Sequence, residues 1–194
     1  MAVGLTKRRF TVAEYHRMAE VGILTEKDRV ELIDGEIVEM TPIGPRHASV
    51  VKRLTALLTS RLGARTIVSV QDPVQLSKES EPQPDVVLLR PSSDFYAEGH
   101  PEPVDTLLLI EVADTSLPYD RGVKLPRYAA AGVPEVWIVD LADEAVEVYR
   151  APAPEDYRQT VRIPRGGSLS PAAFPDLTLE IDEILGPRSP GGGP

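Results

Sequence analysis

Leu107-Leu-Leu-Ile-Glu-Val-Ala113, followed by Asp120-Arg-Gly-Val-Lys124, is the stretch on which the reading of this chain turns. A short apolar run bounded by turn residues is the pattern of a strand buried on both faces. Glu111 interrupts that run, and a carboxylate there is costly unless it is paired or bound to a metal. The same situation recurs at Pro84-Asp85-Val-Val-Leu-Leu89, where Asp85 opens a second buried-type strand. Two carboxylates at the ends of two core strands, with Lys124 downstream, form a set able to hold a divalent cation.

Working outward, the N-terminal half supplies a helix, a hairpin and a second helix. Thr11 precedes Val-Ala-Glu14, a capping box that starts a helix running to about Val21, with Gly22 as its stop. Arg29 to Met40 alternates around Asp34-Gly35, the pair a type I′ turn requires. Glu36 and Glu39 fall on that hairpin as solvated positions, whereas Glu31, between Val30 and Leu32, is a candidate acid. After the loop Thr41–Pro45, a helix begins near His47. Val51, Leu54, Leu57, Leu58 and Leu62 give it one apolar face, and Gly63 ends it. Arg46, Lys52 and Arg53 are expected on its solvated side, with a basic lip for phosphates as the alternative.

Thr66–Val70 reads as a strand that continues or resumes at Val74–Leu76. Asp85–Leu89 and Leu107–Val112 are the next two strands. Asp120 is placed as the N-cap of a helix closed by Gly132, although Pro126 conflicts with that start. Glu135–Val139 is a fourth core strand. Ala145–Tyr149 and Tyr157–Ile163 extend the sheet in antiparallel fashion, and Thr178–Ile181 adds a short strand. Trp137 and Tyr128 are assigned to the core. The order of elements predicts an α/β fold, a mixed sheet with a helix packed on each side. One domain over 1–185 and a disordered tail over 186–194 are expected.

Composition bounds the function. The chain has 194 residues, 42% hydrophobic and 26% charged, ordinary for a globular protein. The sequence contains no cysteine, which excludes disulfides and thiolate metal sites. The first ten residues lack the apolar core of a signal peptide, and no run reaches the roughly 20 residues of a membrane helix. A cytoplasmic protein with no membrane contact is expected. The net charge of −9 opposes non-specific nucleic-acid binding but not a local basic cleft.

Hard oxygen donors from Asp85 and Glu111, with a backbone carbonyl such as that of Val112, suit Mg²⁺ or Mn²⁺. Lys124 would orient the attacking water or stabilise charge on a phosphate. The blander alternatives are a strand-start turn residue for Asp85 and a salt-bridge partner of Glu111, or a solvated helix residue, for Lys124.

Pro84-Asp85, Glu111-Val112 and the downstream lysine resemble the PD-(D/E)XK nuclease superfamily. Val30–Glu36, the loop into His47, Asp120–Lys124, Tyr128-Ala and Gly132–Asp140 extend the likeness, and the whole resembles the Uma-two family of restriction endonucleases over roughly Thr11 to Tyr149. The resemblance implies a restriction-endonuclease-like fold and metal-dependent hydrolysis of DNA, with Asp85 and Glu111 as ligands and Lys124 as the catalytic lysine. His47 and Glu31 join as second candidates beside the metal. The superfamily lysine lies two residues beyond the glutamate, where this chain has Ala113, so Lys124 would supply the charge from the following helix. Cutting both strands of a duplex favours a symmetric homodimer. A non-catalytic oligomeric or binding module that retains the fold, and a metal hydrolase acting on a smaller phosphodiester, are the other readings.

Overall fold

The computed structural model describes residues 7–25 and 27–188. Its elements run α1 (Val12–Glu20), β1 (Val30–Ile33), β2 (Glu36–Glu39), α2 (Pro45–Leu62), β3 (Ile67–Val70), β4 (Val86–Leu89) and β5 (Thr106–Ala113). There follow α3 (Leu117–Tyr119), a π-helical turn over Asp120–Lys124, α4 (Leu125–Ala131) and β6 (Glu135–Asp140). The chain continues through β7 (Ala145–Pro152), β8 (Tyr157–Pro164), β9 (Ser168–Leu169), β10 (Leu179–Glu180) and α5 (Ile181–Leu185). Among the described residues no helix is long and apolar enough to cross a membrane.

Six strands form one mixed sheet in the order β3-β4-β5-β6-β7-β8. Only β5 and β6 run parallel, the pair joined by the helical crossover that parallel strands need. Strand side chains alternate between faces, and the two faces are covered by different helices. Val86, Leu88, Leu108, Ile110, Trp137 and Val139 pack with α2 and α5. Val87, Leu89, Leu109, Val136 and Ile138 pack with α4. Fully burying each such side chain contributes about 1.5–3 kcal/mol. This alternation decides the chemistry, because Asp85 and Glu111 fall on the odd-numbered, α4-facing side. The antiparallel register pairs Val86 with Ile110, so one step further Asp85 comes opposite Glu111.

The hairpin β1–β2 stands apart from the large sheet. Asp34 and Gly35 both have positive φ, 49° and 74°, as the Asp-Gly turn requires. A Cβ on Gly35 would come within 2.5 Å of Arg9 Cβ, a second reason for glycine there. The hairpin is tied down by Gly35 N–H to Glu79 O at 2.7 Å and Glu81 N–H to Leu32 O at 2.7 Å. Asp34 Oδ2 also accepts from Arg127 Nη2 of α4 at 2.6 Å. These bonds set Glu31 against the rest of the site. The capping box of α1 forms as the sequence predicts, with Thr11 and Glu14 bonded reciprocally.

Three local expectations need correcting. Val74–Leu76 is not a strand. Gln71 turns the chain at φ 57°, and Val74 and Leu76 bond back to Pro82 and Ser80 within their own loop. Asp120 is not an N-cap, because the helix already begins at Leu117, with Pro118 in its first turn. Pro126 then sits in the first turn of α4, just past a π-turn in which Leu125 N–H reaches Asp120 O. The wider turn accommodates a proline that would otherwise break the helix. Finally, Leu179–Glu180 does pair with Ser168–Leu169, but Ile181 starts α5 instead of ending a strand. Of the expected tail, Gly186–Arg188 are described, with Arg188 Nε 3.4 Å from Glu144. The remainder lies outside the described residues.

Candidate active site

Asp85 is presented by the turn into β4, Glu111 by the end of β5, Lys124 by the π-turn, His47 by the first turn of α2 and Glu31 by β1. All five line one cleft of about 480 Å³, together with Val112 and Asp120. The chain's architecture therefore brings every sequence-selected candidate to one place.

Asp85 is held from three sides. Its Oδ2 accepts the Val112 backbone N–H at 2.8 Å and a hydrogen bond from His47 Nε2 at 2.9 Å. Its Oδ1 accepts from Gln71 Nε2 at 3.2 Å. Burial works against a charged imidazole at His47, yet the hydrogen bond to Asp85 and the nearby carboxylates of Asp85, Asp120 and Asp114 outweigh it. The net effect raises the His47 pKa. His47 Nδ1 is buried with no hydrogen-bond partner among the described residues.

Glu111 is 4% exposed and Lys124 5%, so Lys124 is not the solvated helix residue of the blander alternative, whereas its place beside Glu111 is that of a salt-bridge partner. Lys124 Nζ lies 3.2 Å from Glu111 Oε1 and 3.0 Å from Glu31 Oε2. Glu31 Oε2 also accepts the Gln83 backbone N–H at 3.2 Å. Tyr128 OH donates to Glu111 Oε1 at 2.5 Å. Burial pushes the Glu111 carboxyl up to about 8, with Lys124 pulling in the opposite direction. For Lys124, burial opposes the charge, but Glu111 and Glu31 overcome it and hold the ammonium protonated well beyond its ordinary range. Burial likewise raises Asp120, whose Oδ2 accepts from Ser116 Oγ at 2.7 Å.

Sequence reasoning missed three contributors. Tyr128 was assigned to the core, and its ring is there, but its hydroxyl serves Glu111. The signal was its spacing, four residues beyond Lys124 on one helix. Gln71 lies in the turn after β3, Gln83 in the loop before β4, and neither carried a motif. Trp137, by contrast, is pure core, with its indole N–H donated to Glu135 at 2.8 Å. Glu36 and Glu39 are exposed as expected. Arg46 is drawn to Glu144 at 3.3 Å, away from a phosphate-binding role.

Hard oxygen donors from Asp85, Glu111 and the Val112 carbonyl suit Mg²⁺ or Mn²⁺ in chemistry and number, leaving waters to complete the shell. Glu31, Asp114 and Asp120 add three more acidic groups beside Asp85 and Glu111, a lining that suits a divalent cation.

The fold matches a crystal structure described as that of a putative nuclease belonging to DUF820 from Anabaena variabilis ATCC 29413. The TM-score is 0.69 at 14% sequence identity, covering 91% of this chain and 97% of that one. At that identity the likeness concerns the fold alone. No curated protein matches the chain. A family model described as "Putative restriction endonuclease" matches residues 12–182, past the Tyr149 limit of the sequence resemblance and through the C-terminal strands to the start of α5. By that match the chain belongs to the Uma2 family.

Proposed function

We propose that this chain is a divalent-metal-dependent endonuclease that hydrolyses DNA phosphodiester bonds, with Asp85, Glu111 and the Val112 carbonyl as ligands of Mg²⁺ or Mn²⁺. What carries the reading is the meeting of Asp85, Glu111 and Lys124 in one cleft of a chain from a nuclease family. When bound, such an ion acidifies its water and neutralises charge on a phosphate oxygen. The chain's own groups do the rest. His47 and Gln71 fix the two oxygens of Asp85, and Tyr128 fixes Glu111. Lys124, held charged between Glu31 and Glu111, offers an ammonium to the developing charge on the phosphate. Residues 1–185 act as one unit in this reading, and a homodimer would bring two such clefts to the two strands of a duplex.

The acidic cleft sets an order of events. Phosphates approaching Glu31, Asp85, Asp114 and Asp120 are repelled until a cation is in place, so DNA binding should depend on the metal.

A supercoiled plasmid incubated with Mg²⁺ or Mn²⁺ at low salt tests this. Nicking or linearisation by the wild type, lost in Asp85→Ala and Glu111→Ala, is the expected result. Intact DNA across metals and substrates at high protein concentration would argue against nuclease activity. One observation favours a second reading, a non-catalytic module that keeps the fold. Lys124 is already engaged by two carboxylates, and the superfamily's lysine position is Ala113. That reading expects Lys124→Ala to alter stability only.

A further inference from the structure

His16, Glu81 and His100 form a second cluster, separate from the cleft residues. They come from three segments: α1, the loop between β3 and β4, and the loop between β4 and β5. One ligand atom from each lies within 4.8 Å of the other two. His16 Nε2 is 2.7 Å from Glu81 Oε1, and the His100 ring stands edge-on to His16 at 5.6 Å between centroids.

An ion pair alone would account for His16 and Glu81, but not for two further features. The Glu81 side chain is only 1% exposed, and its second oxygen, Oε2, is buried without a hydrogen-bond partner among the described residues. A buried carboxylate oxygen left bare is costly. The third partner, His100, is exposed. Of the three histidines in the chain, two are gathered here.

We propose that His16, Glu81 and His100 bind a borderline divalent transition cation of the Zn²⁺ class. Two imidazoles and a carboxylate are a zinc ligand set with an open fourth position, and imidazole disfavours Mg²⁺ or Ca²⁺ in such a site. A tetrahedral ion with bonds of about 2.0–2.1 Å holds its ligands roughly 3.3 Å apart, so closure needs only a small swing of the exposed His100. The backbone around the site is already braced. Val12 N–H bonds Lys78 O at 2.8 Å, and Gln75 N–H bonds Pro101 O at 2.9 Å, joining the three segments next to the ligands.

The ion would act as a staple. Glu81 pairs with Leu32 of β1, the neighbour of Glu31, so a cation on Glu81 fixes the strand that presents Glu31 to Lys124. Its place is beside β1 at Leu32, and Asp85 and Glu111 of the cleft are not needed for it.

Calorimetric titration of ZnCl₂ into the untagged full chain tests this, with His100→Ala, His16→Ala and Asp85→Ala alongside. Binding should persist in Asp85→Ala and weaken by more than about 100-fold in His100→Ala, because losing even an outer-shell partner costs about 10–100-fold. Zinc should raise the Tm of Asp85→Ala and leave that of the doubly substituted Asp85→Ala, His100→Ala chain unchanged. Co²⁺ should give visible bands, displaced by Zn²⁺, that His100→Ala lacks. His100 is exposed, so its substitution keeps the fold and decides the matter even if His16→Ala unfolds. Zinc binding equal in His100→Ala and wild type, lost in Asp85→Ala, or absent from the wild type overturns the proposal.

Discussion

Lys124 Nζ sits 3.0 Å from Glu31 Oε2, joining the helix that crosses from β5 to β6 to a hairpin that is not part of the main sheet. A buried pair of this kind adds little net stability when complete, but is costly to break.

Replacing Lys124 with methionine should therefore destabilise the protein by about 3–5 kcal/mol, since it strands Glu31 and Glu111 in the interior. Adding Glu31→Gln should recover part of that loss. Urea denaturation of the two single variants and the double variant measures the coupling, and strictly additive losses would mean the contact carries no energy.

Metal affinity should rise with pH. Burial pushes the Glu111 carboxyl up to about 8, and an oxygen donor must be ionised to bind Mg²⁺ or Mn²⁺. Binding below that value should release a proton, so calorimetric heats should differ between buffers of different ionisation enthalpy. Affinity that stays flat between pH 6 and pH 8, as conditions of the measurement, would remove Glu111 from the ligand set.

The metal-free protein should show the opposite slope. The Glu111 value in the fold lies above the ordinary glutamate value of 4.5, so the folded state holds a proton that the unfolded chain has lost. Its contribution to stability is complete below about 4.5, falls as pH rises towards about 8 and is constant above. Glu111→Gln should flatten this part of the stability curve. An unchanged pH profile in that variant would contradict the assignment.

Tyr128→Phe keeps the ring in the core and removes only the hydroxyl that donates to Glu111 at 2.5 Å. A loss of about 1 kcal/mol in stability is expected. Any nuclease turnover should drop further than DNA affinity does, because the hydroxyl orients a ligand and does not face the substrate. Equal falls in both would place Tyr128 in substrate binding instead.

Local chemistry made most of the fold legible. Thr11 with Glu14, and Asp34 with Gly35, dictate their own geometry within a few residues. Asp85 and Glu111 could be brought together from sequence because each marks the end of a buried run on what proved to be neighbouring strands. The remaining contacts depend on distant partners. Nothing near Lys124 in the chain announces Glu31, and Tyr128 looks like any other aromatic on an apolar face. Asp120 was misplaced because its residue type suits a cap, while the helix had already started at Leu117-Pro118. Val74–Leu76 has strand composition, but its hydrogen bonds are taken up by Pro82 and Ser80 across a tight loop.

The π-turn over Asp120–Lys124 makes the site depend on the length of this segment as well as on its residues. A π-turn holds one residue more than an α-turn, and here Leu125 N–H closes it on Asp120 O. Deleting Gly122, where a Cβ would meet nothing within 4 Å, would leave Asp120, Lys124 and Tyr128 all present. The segment would then close as ordinary α-helix, with Asp120 and Lys124 three residues apart and still on one face. A chain with every site residue intact would have lost the widened turn that offers Asp120 and Lys124 to the cleft.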